Sequence, residues 1–154
     1  MENVNNNKLL VFVSMVFAGA IFAGCTAVSP KDVNGYYRQK VVYHFNNLDS
    51  AYLGLRNIDN HLNAVGDKDV EIIAVAHAGG AYMLVDGAQD KKGRTFNSYI
   101  AKLSDRGVKF QICANTIRNK KIPKDKINLH AMTVPSGAAQ IVHLQQEGYI
   151  YVKP

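Results

Sequence analysis

The chain has 154 residues and a formal net charge of +6, from 18 Lys and Arg against 12 Asp and Glu. Apolar residues make up 47% and charged residues 19%, which excludes a disordered chain, and two cysteines are too few for a disulfide scaffold. The length leaves room for one domain of ordinary size and excludes a two-domain enzyme, while the basic balance directs attention to anionic partners.

Residues 1–25 are typical of an export signal. Lys8 precedes an apolar run over 9–22, which suits a signal peptide better than a membrane span of about 20 residues. The sequence FAGC at 22–25 resembles a bacterial lipobox, whose cysteine is lipidated and becomes the mature N-terminus. We therefore expect a lipoprotein that is anchored to the membrane through Cys25 and faces the periplasm. The alternative is an uncleaved signal-anchor helix.

The residue after the cysteine bears on the destination of such a lipoprotein. Thr26 stands where Asp would favour retention in the inner membrane, so we expect the outer membrane. Residues 26–39 are polar, include Pro30 and Gly35 and show no apolar period, which predicts a tether. The folded domain is expected over 40–154.

Strand and helix patterns alternate along this domain. The predicted strands are 40–45, 70–76, 108–113, 131–134 and 149–153, and the predicted helices are 50–65, 81–85, 96–104 and 136–147. The run VEIIAVA at 70–76 indicates a strand buried on both faces. Since strands joined through helices need crossover connections, we expect an α/β fold: a single doubly wound, three-layer domain with a mostly parallel sheet of about five strands.

Candidate site residues follow from this architecture, because open parallel sheets bind ligands at the carboxyl ends of their strands. His44 lies near the end of the first predicted strand, His77 directly follows the second, and Cys113 ends the third. The loops after these strands supply further candidate binding residues: Gly79, Gly80, Asn115 and Thr116.

Cys113 is the only thiol left if Cys25 is lipidated, and a turn or helix begins directly after it. Helix N-terminal N–H groups stabilise a thiolate, and a basic run over 118–126 would strengthen that field. Such a cysteine could carry a persulfide or attack a sulfur donor. The alternative is an inert, small hydrophobic residue at the edge of the core.

The segment LSDRGVKFQICANT at 103–116 resembles the cysteine segment of the DsrE/DsrF-like family. Residues 40–44, 76–80, 134–139 and 146–154 agree with it, so the resemblance spans nearly all of 40–154. In the sulfur-relay members, the matching cysteine accepts sulfane sulfur as a persulfide, and the proteins form trimers or hexamers. The resemblance implies this role for Cys113 alone, and a homo-oligomer.

Two functions remain open at this point. One is an extracytoplasmic sulfur carrier or sulfurtransferase-like protein that uses Cys113 and receives sulfur from a small sulfur anion or persulfide donor. The other is a non-catalytic binding or scaffold module of the same fold with Cys113 inert. Export makes transfer of sulfur to tRNA improbable.

The other candidate residues have alternatives too. His44 and His77 could act as bases or metal ligands beside Cys113, or simply bind strand-end backbone, and no HxH or CxxC spacing predicts a metal site. Gly79-Gly80 lacks the patterns of nucleotide-binding loops, so no cofactor is predicted. The basic run could steer a sulfur anion or be a solvated loop, and Tyr149 and Tyr151 are interpreted as strand packing. Since the aromatic residues do not interleave with Lys and Arg, no nucleic-acid partner is predicted.

Overall fold

The computed structural model describes residue 31 and residues 34–154. The predicted leader, its lipidation site Cys25 and half of the predicted tether lie outside the described residues. None of the helices within the described part is long and apolar enough to cross a membrane.

Five parallel strands form one sheet in the order β4-β3-β2-β1-β5. Their bounds are β1 Gln39–Phe45, β2 Val70–Ala76, β3 Lys109–Cys113, β4 Ala131–Val134 and β5 Ile150–Val152. The predicted α/β class and parallel sheet are confirmed. The predicted last strand is shortened at both ends, because only 150–152 pair with β1.

Four α-helices connect the strands: α1 Ala51–Val65, α2 Asn97–Asp105, α3 Ala114–Asn119 and α4 Gly137–Gln146. Ser136 caps α4 as predicted, since its hydroxyl accepts a hydrogen bond from the Ala139 N–H at 3.4 Å. The predicted short helix over 81–85 starts three residues earlier and ends one residue earlier in the structure. A 3-10 helix over Ala78–Leu84 begins directly after His77, and a second one spans Lys124–Lys126.

Strand residues alternate between two cores, one on each face of the sheet. On one face, α1 and α2 pack over a large core that includes Phe45, Leu55 and Phe110. On the other face, α4 covers a smaller cluster: Val42, Ile73, Val75, Ile141, Leu144 and Tyr149. Helices on both faces confirm the predicted three layers, and the polar residues at the strand ends lie beside the smaller core.

Candidate functional site

Three predicted site residues reach the same edge and the same face of the sheet. His44 follows Val42 by two positions, and His77 follows Val75 by two, so both project on the side covered by α4. Cys113 is two residues after Gln111, which pairs with Val75. The structure therefore brings together side chains that are separated by as many as 69 positions along the sequence.

A hydrogen-bonded row crosses three neighbouring strands at this edge. The Tyr151 hydroxyl of β5 lies 2.6 Å from His44 Nδ1, and His44 Nε2 lies 2.6 Å from His77 Nε2. The two imidazole centroids are 4.6 Å apart with an interplanar angle of 25°. Since the nitrogens are much closer than the centroids, the rings meet through their nitrogen-bearing edges, as an N–H···N hydrogen bond requires.

Cys113 lies between the starts of two helices. It ends β3 and is the residue before α3, and the start of α4 passes over it. A Cβ atom placed on Gly137 would lie 2.9 Å from His77 Cβ and 3.3 Å from Cys113 Cβ. Gly137 therefore lets α4 approach the histidine and the cysteine more closely than any other residue would allow.

The surroundings of the Cys113 thiol stabilise its thiolate form. Burial raises the pKa of the thiol, but hydrogen bonds outweigh it, so the pKa lies below its ordinary value. The donors are the N–H groups of Gly137, Thr116 and Asn115 and the Thr116 hydroxyl. Cys113 is only 4% exposed.

Both histidines favour the neutral form. Burial, the adjacent His77 ring and the Lys153 ammonium lower the pKa of His44 to about 4. Burial and then Lys153 lower the pKa of His77. At neutral pH each ring therefore keeps one nitrogen able to accept a proton.

A pocket of about 340 Å³ opens over the thiol. Its lining combines residues from the loop after β2 with residues of α3 and the start of α4: His77, Ala78, Cys113, Asn115, Thr116, Asn119, Lys120, Ser136 and Ala138. The pocket therefore offers a small volume that one cysteine, one histidine and one lysine share.

The remaining predicted residues divide between the pocket and its supports. Asn115 lines the pocket and its side chain accepts from Arg118, while Thr116 Oγ1 accepts from the Ala78 N–H at 3.0 Å and so ties the loop after β2 to α3. Gly80 is buried, and a Cβ there would lie 2.3 Å from the Phe45 carbonyl oxygen. Gly79 approaches Asn46, where a Cβ would lie 3.3 Å from the carbonyl oxygen. These glycines shape the loop, and neither lines the pocket.

The basic run contributes one residue to the cysteine pocket. Lys120 lines it, whereas Arg118 and Lys124 line a separate depression with Ile117 and Leu129. Among the described residues, no group of three His, Cys, Asp or Glu side chains could hold a metal ion.

Sequence reasoning missed two contributors to this site. Tyr151, interpreted as strand packing, is 39% exposed and bonds His44. Pairing of Val42 with Tyr151 puts the tyrosine on the α4 face, so the register of β5 would have revealed it. Gly137 carried no sequence signal beyond its place after the capping serine.

Comparisons with known proteins agree with this architecture. The model of the DsrE/DsrF-like family matches residues 39–154. The structure of MTH1491, a protein of unknown function from Methanobacterium thermoautotrophicum, is similar with a TM-score of 0.63 and 29% sequence identity, and the match covers 75% of this chain and 99% of that chain. The ychN protein from E. coli gives a TM-score of 0.63 at 11% identity, with the same coverage. No curated protein matches the chain significantly. Since the family model covers well over half of the sequence, the chain belongs to the DsrE/DsrF-like family.

Proposed function

We propose that the protein carries sulfane sulfur as a persulfide on Cys113. The observation that supports this most directly is the hydrogen bonding of the thiol: three backbone N–H groups and the Thr116 hydroxyl lower its pKa despite burial. A thiolate is the form of cysteine that attacks sulfur. A cysteine that served only to fill the core would have no need of these donors.

The chemistry requires no external oxidant. The Cys113 thiolate attacks the outer sulfur of thiosulfate, a new S–S bond forms at Sγ, the S–S bond of thiosulfate breaks, and sulfite leaves with the electron pair. With a polysulfide, the leaving group is the shortened polysulfide anion. The same N–H groups that stabilise the thiolate lie beside the new terminal sulfur anion.

Intact-mass and peptide mass spectrometry test the proposal. Protein incubated with thiosulfate or polysulfide should gain one sulfur atom on the peptide that contains Cys113, and the Cys113→Ser variant should not gain it. Peptide mapping separates this adduct from any modification of Cys25. A thiol that stays unmodified in the wild-type protein would contradict the proposal and favour the binding or scaffold module.

We also propose that the protein is an exported lipoprotein in which Cys25 carries the lipid. The support is the sequence of 1–25, with its apolar run and FAGC motif. Cells grown with labelled palmitate should incorporate label into the wild-type chain, and Cys25→Ser should abolish it. Equal labelling of both chains, or of neither, would contradict lipidation at Cys25.

A homo-oligomer is the third part of the proposal. Both edge strands of the sheet carry exposed apolar side chains: Met132 on β4 is 55% exposed and Ile150 on β5 is 64% exposed. Edge strands of this kind are ready to pair or pack with another chain. Light scattering should give a trimeric or hexameric mass, and a monomeric mass at micromolar concentration would contradict this part.

A further inference from the structure

The row of side chains beside Cys113 has the form of a nucleophile, a base and an orienting group. His77 shares the pocket with the thiol, His44 bonds His77, and Tyr151 bonds His44. Activated nucleophiles in enzymes use this order, in which a base next to the nucleophile is held by a third group. These residues come from four neighbouring strands or strand ends, which is why the order is invisible in the sequence.

We propose that His77 takes the proton of the Cys113 thiol, that His44 stabilises the resulting imidazolium by accepting the His77 Nε2–H, and that Tyr151 fixes His44 in the tautomer able to do so. The inference rests on the proposed function of Cys113 and deepens it. His77 is the base, whereas His44 and Tyr151 are positioning residues that act through it.

Two tautomer arrangements satisfy the hydrogen bonds of the row, and the proposed base requires one of them. His44 Nε2 and His77 Nε2 share one proton, so one ring donates and the other accepts. If His77 donates, His44 must carry its own proton on Nδ1, and that proton is donated to the Tyr151 oxygen at 2.6 Å. This arrangement leaves His77 Nδ1 as a free base nitrogen, and within the described residues it has no hydrogen-bond partner.

The opposite arrangement would place a proton on His77 Nδ1 and remove the base. The Tyr151 hydroxyl is partly exposed, so its own hydrogen can be donated to solvent while its oxygen accepts from His44. In this arrangement Tyr151 is the hydrogen-bond partner of His44 Nδ1, and the lone pair of His44 Nε2 stays free to accept from His77.

Proton transfer is balanced within the pocket. The proton leaves Cys113 Sγ for His77 Nδ1 through one water molecule, since no direct hydrogen bond joins the sulfur to the ring among those the structure records. The thiolate keeps the electron pair and attacks the donor sulfur. After transfer, the imidazolium gives its proton back to solvent.

The charged groups around the row favour a neutral His77 ring before the thiol loses its proton. Lys153, which directly follows β5, acts on both histidines, and Lys120, which directly follows α3, lines the pocket. Ser136 and Gly137 of α4 add no charge from above. Burial and then Lys153 favour the neutral form of His77, and the negative charge of a thiolate would favour the imidazolium beside it.

Alkylation of Cys113 by iodoacetamide across a pH series tests the inference, because this neutral probe reports the thiolate. His77→Gln should move the alkylation midpoint upward by about one pH unit, which is a tenfold loss of thiolate at a fixed pH below it. His44→Gln and Tyr151→Phe should move it in the same direction by about half a unit, since they weaken the imidazolium without removing the base.

Two variants away from the row serve as matched controls. His61 is also a half-buried histidine with a lowered pKa, but it lies on the α1 face and bonds Tyr43 and Gln39. Tyr52 packs against Tyr99 on that face. His61→Gln and Tyr52→Phe should keep the wild-type midpoint. Unchanged midpoints in Tyr151→Phe and both row histidine variants, or equal shifts in the controls, would overturn the inference.

Nitrogen-15 spectra of the histidine rings give a second measurement that needs no substitution. The inference predicts the neutral His77 ring protonated at Nε2 and His44 at Nδ1, and the reverse pattern would overturn it. The proposed function and this inference can fail separately. A wild-type protein that gains no sulfur from thiosulfate contradicts the proposed function, whereas the shift of the alkylation midpoint in the row variants can still be measured.

Discussion

The two faces of the sheet are built from the same strands and differ in what happens at the strand ends. On the α1 face, β1 ends in Phe45 and β2 in Ala76, both fully buried under helices. On the α4 face, the corresponding positions are His44 and His77, beside Cys113. Within the described residues, α4 is the helix that covers this face, and its small apolar cluster does not include the residues at the carboxyl edge. The thicker layer supplies stability, and the thinner one leaves space for chemistry.

The half-buried histidines His61 and His77 show the same contrast. His61 on the α1 face uses both nitrogens, with Tyr43 at 3.0 Å and Gln39 at 2.6 Å. His77 on the α4 face uses one nitrogen and has the other without a partner among the described residues. A fully bonded histidine fixes structure, whereas one with a free nitrogen beside a thiol can exchange a proton.

The largest expected effect separates stability from reactivity. Leu55→Ala removes a fully buried side chain from the α1-face core and should lower the free energy of unfolding by about 3 kcal/mol. Chemical denaturation measures this loss. The iodoacetamide midpoint of Cys113 in the folded variant should stay at the wild-type value, and a shifted midpoint would mean that the two faces are not independent.

Gly137→Ala should affect both properties. The added Cβ would contact His77 at 2.9 Å, and the closeness of Cys113 leaves α4 no room to adjust, so we expect a loss of about 1–3 kcal/mol in stability. Cys113 should also alkylate more slowly, because the helix start that donates to the thiol must move. Ala139→Gly, two residues further along α4, is the control for helix propensity and should leave the thiol unchanged. Wild-type alkylation in Gly137→Ala would contradict the packing described for this site.

Asp59 tests an electrostatic contribution on the α1 face. It joins α1 to α2 through Lys102 at 2.7 Å and Arg106 at 2.6 Å, and these partners lower the pKa of its carboxyl, with the Lys102 hydrogen bond as the largest cause. A lowered folded pKa adds stability that is fully present above the unfolded value and is lost as pH falls through the folded value.

Asp59→Asn should therefore lower the free energy of unfolding by about 1 kcal/mol at pH 7. This loss is smaller than for a fully buried ion pair, because Lys102 is 56% exposed and solvent screens its charge. The difference from wild type should shrink below a pH of about 4. The matched control is Asp49→Asn, whose partner Lys91 is 82% exposed and which should change stability little at any pH. A pH-independent difference for Asp59→Asn would show that the carboxyl acts through packing instead of charge.

The smallest expected effect concerns the one lysine of the basic run in the cysteine pocket. Lys120→Gln should slow the reaction of Cys113 with thiosulfate by about two- to threefold at low salt, because a local cation attracts the dianion, and added salt should remove the difference. Lys124→Gln alters the separate depression and is the control. If both variants slow the reaction equally, the run acts through net charge and not through the pocket.

The sequence predicted the sheet well because buried parallel strands leave a strong apolar signal. The strand over 70–76 was predicted to the residue, as was 131–134. The start of the 3-10 helix directly after His77 was not predicted, because AGGAYML has no helical period. The path of this segment depends on the close packing of Gly80 against the Phe45 carbonyl. Local patterns cannot report that tertiary contact.

The candidate site was predictable as a set of strand ends and not as an arrangement. Their positions at the carboxyl ends of predicted parallel strands placed His44, His77 and Cys113 at one edge. The Nε2–Nε2 contact and the approach of Gly137 depend on register and on the path of α4. Tyr151 belongs to the site because β5 pairs with β1. The last strand thus lies at the edge of the sheet opposite β4, the strand that precedes it in the chain.

Thiosulfate labelled in its outer sulfur tests directly whether Cys113 carries sulfane sulfur. We expect the wild-type protein to bind one label per chain, cyanide to release that label as thiocyanate, and Cys113→Ser to bind none. No bound label in the wild-type protein, or equal label in Cys113→Ser, would contradict it.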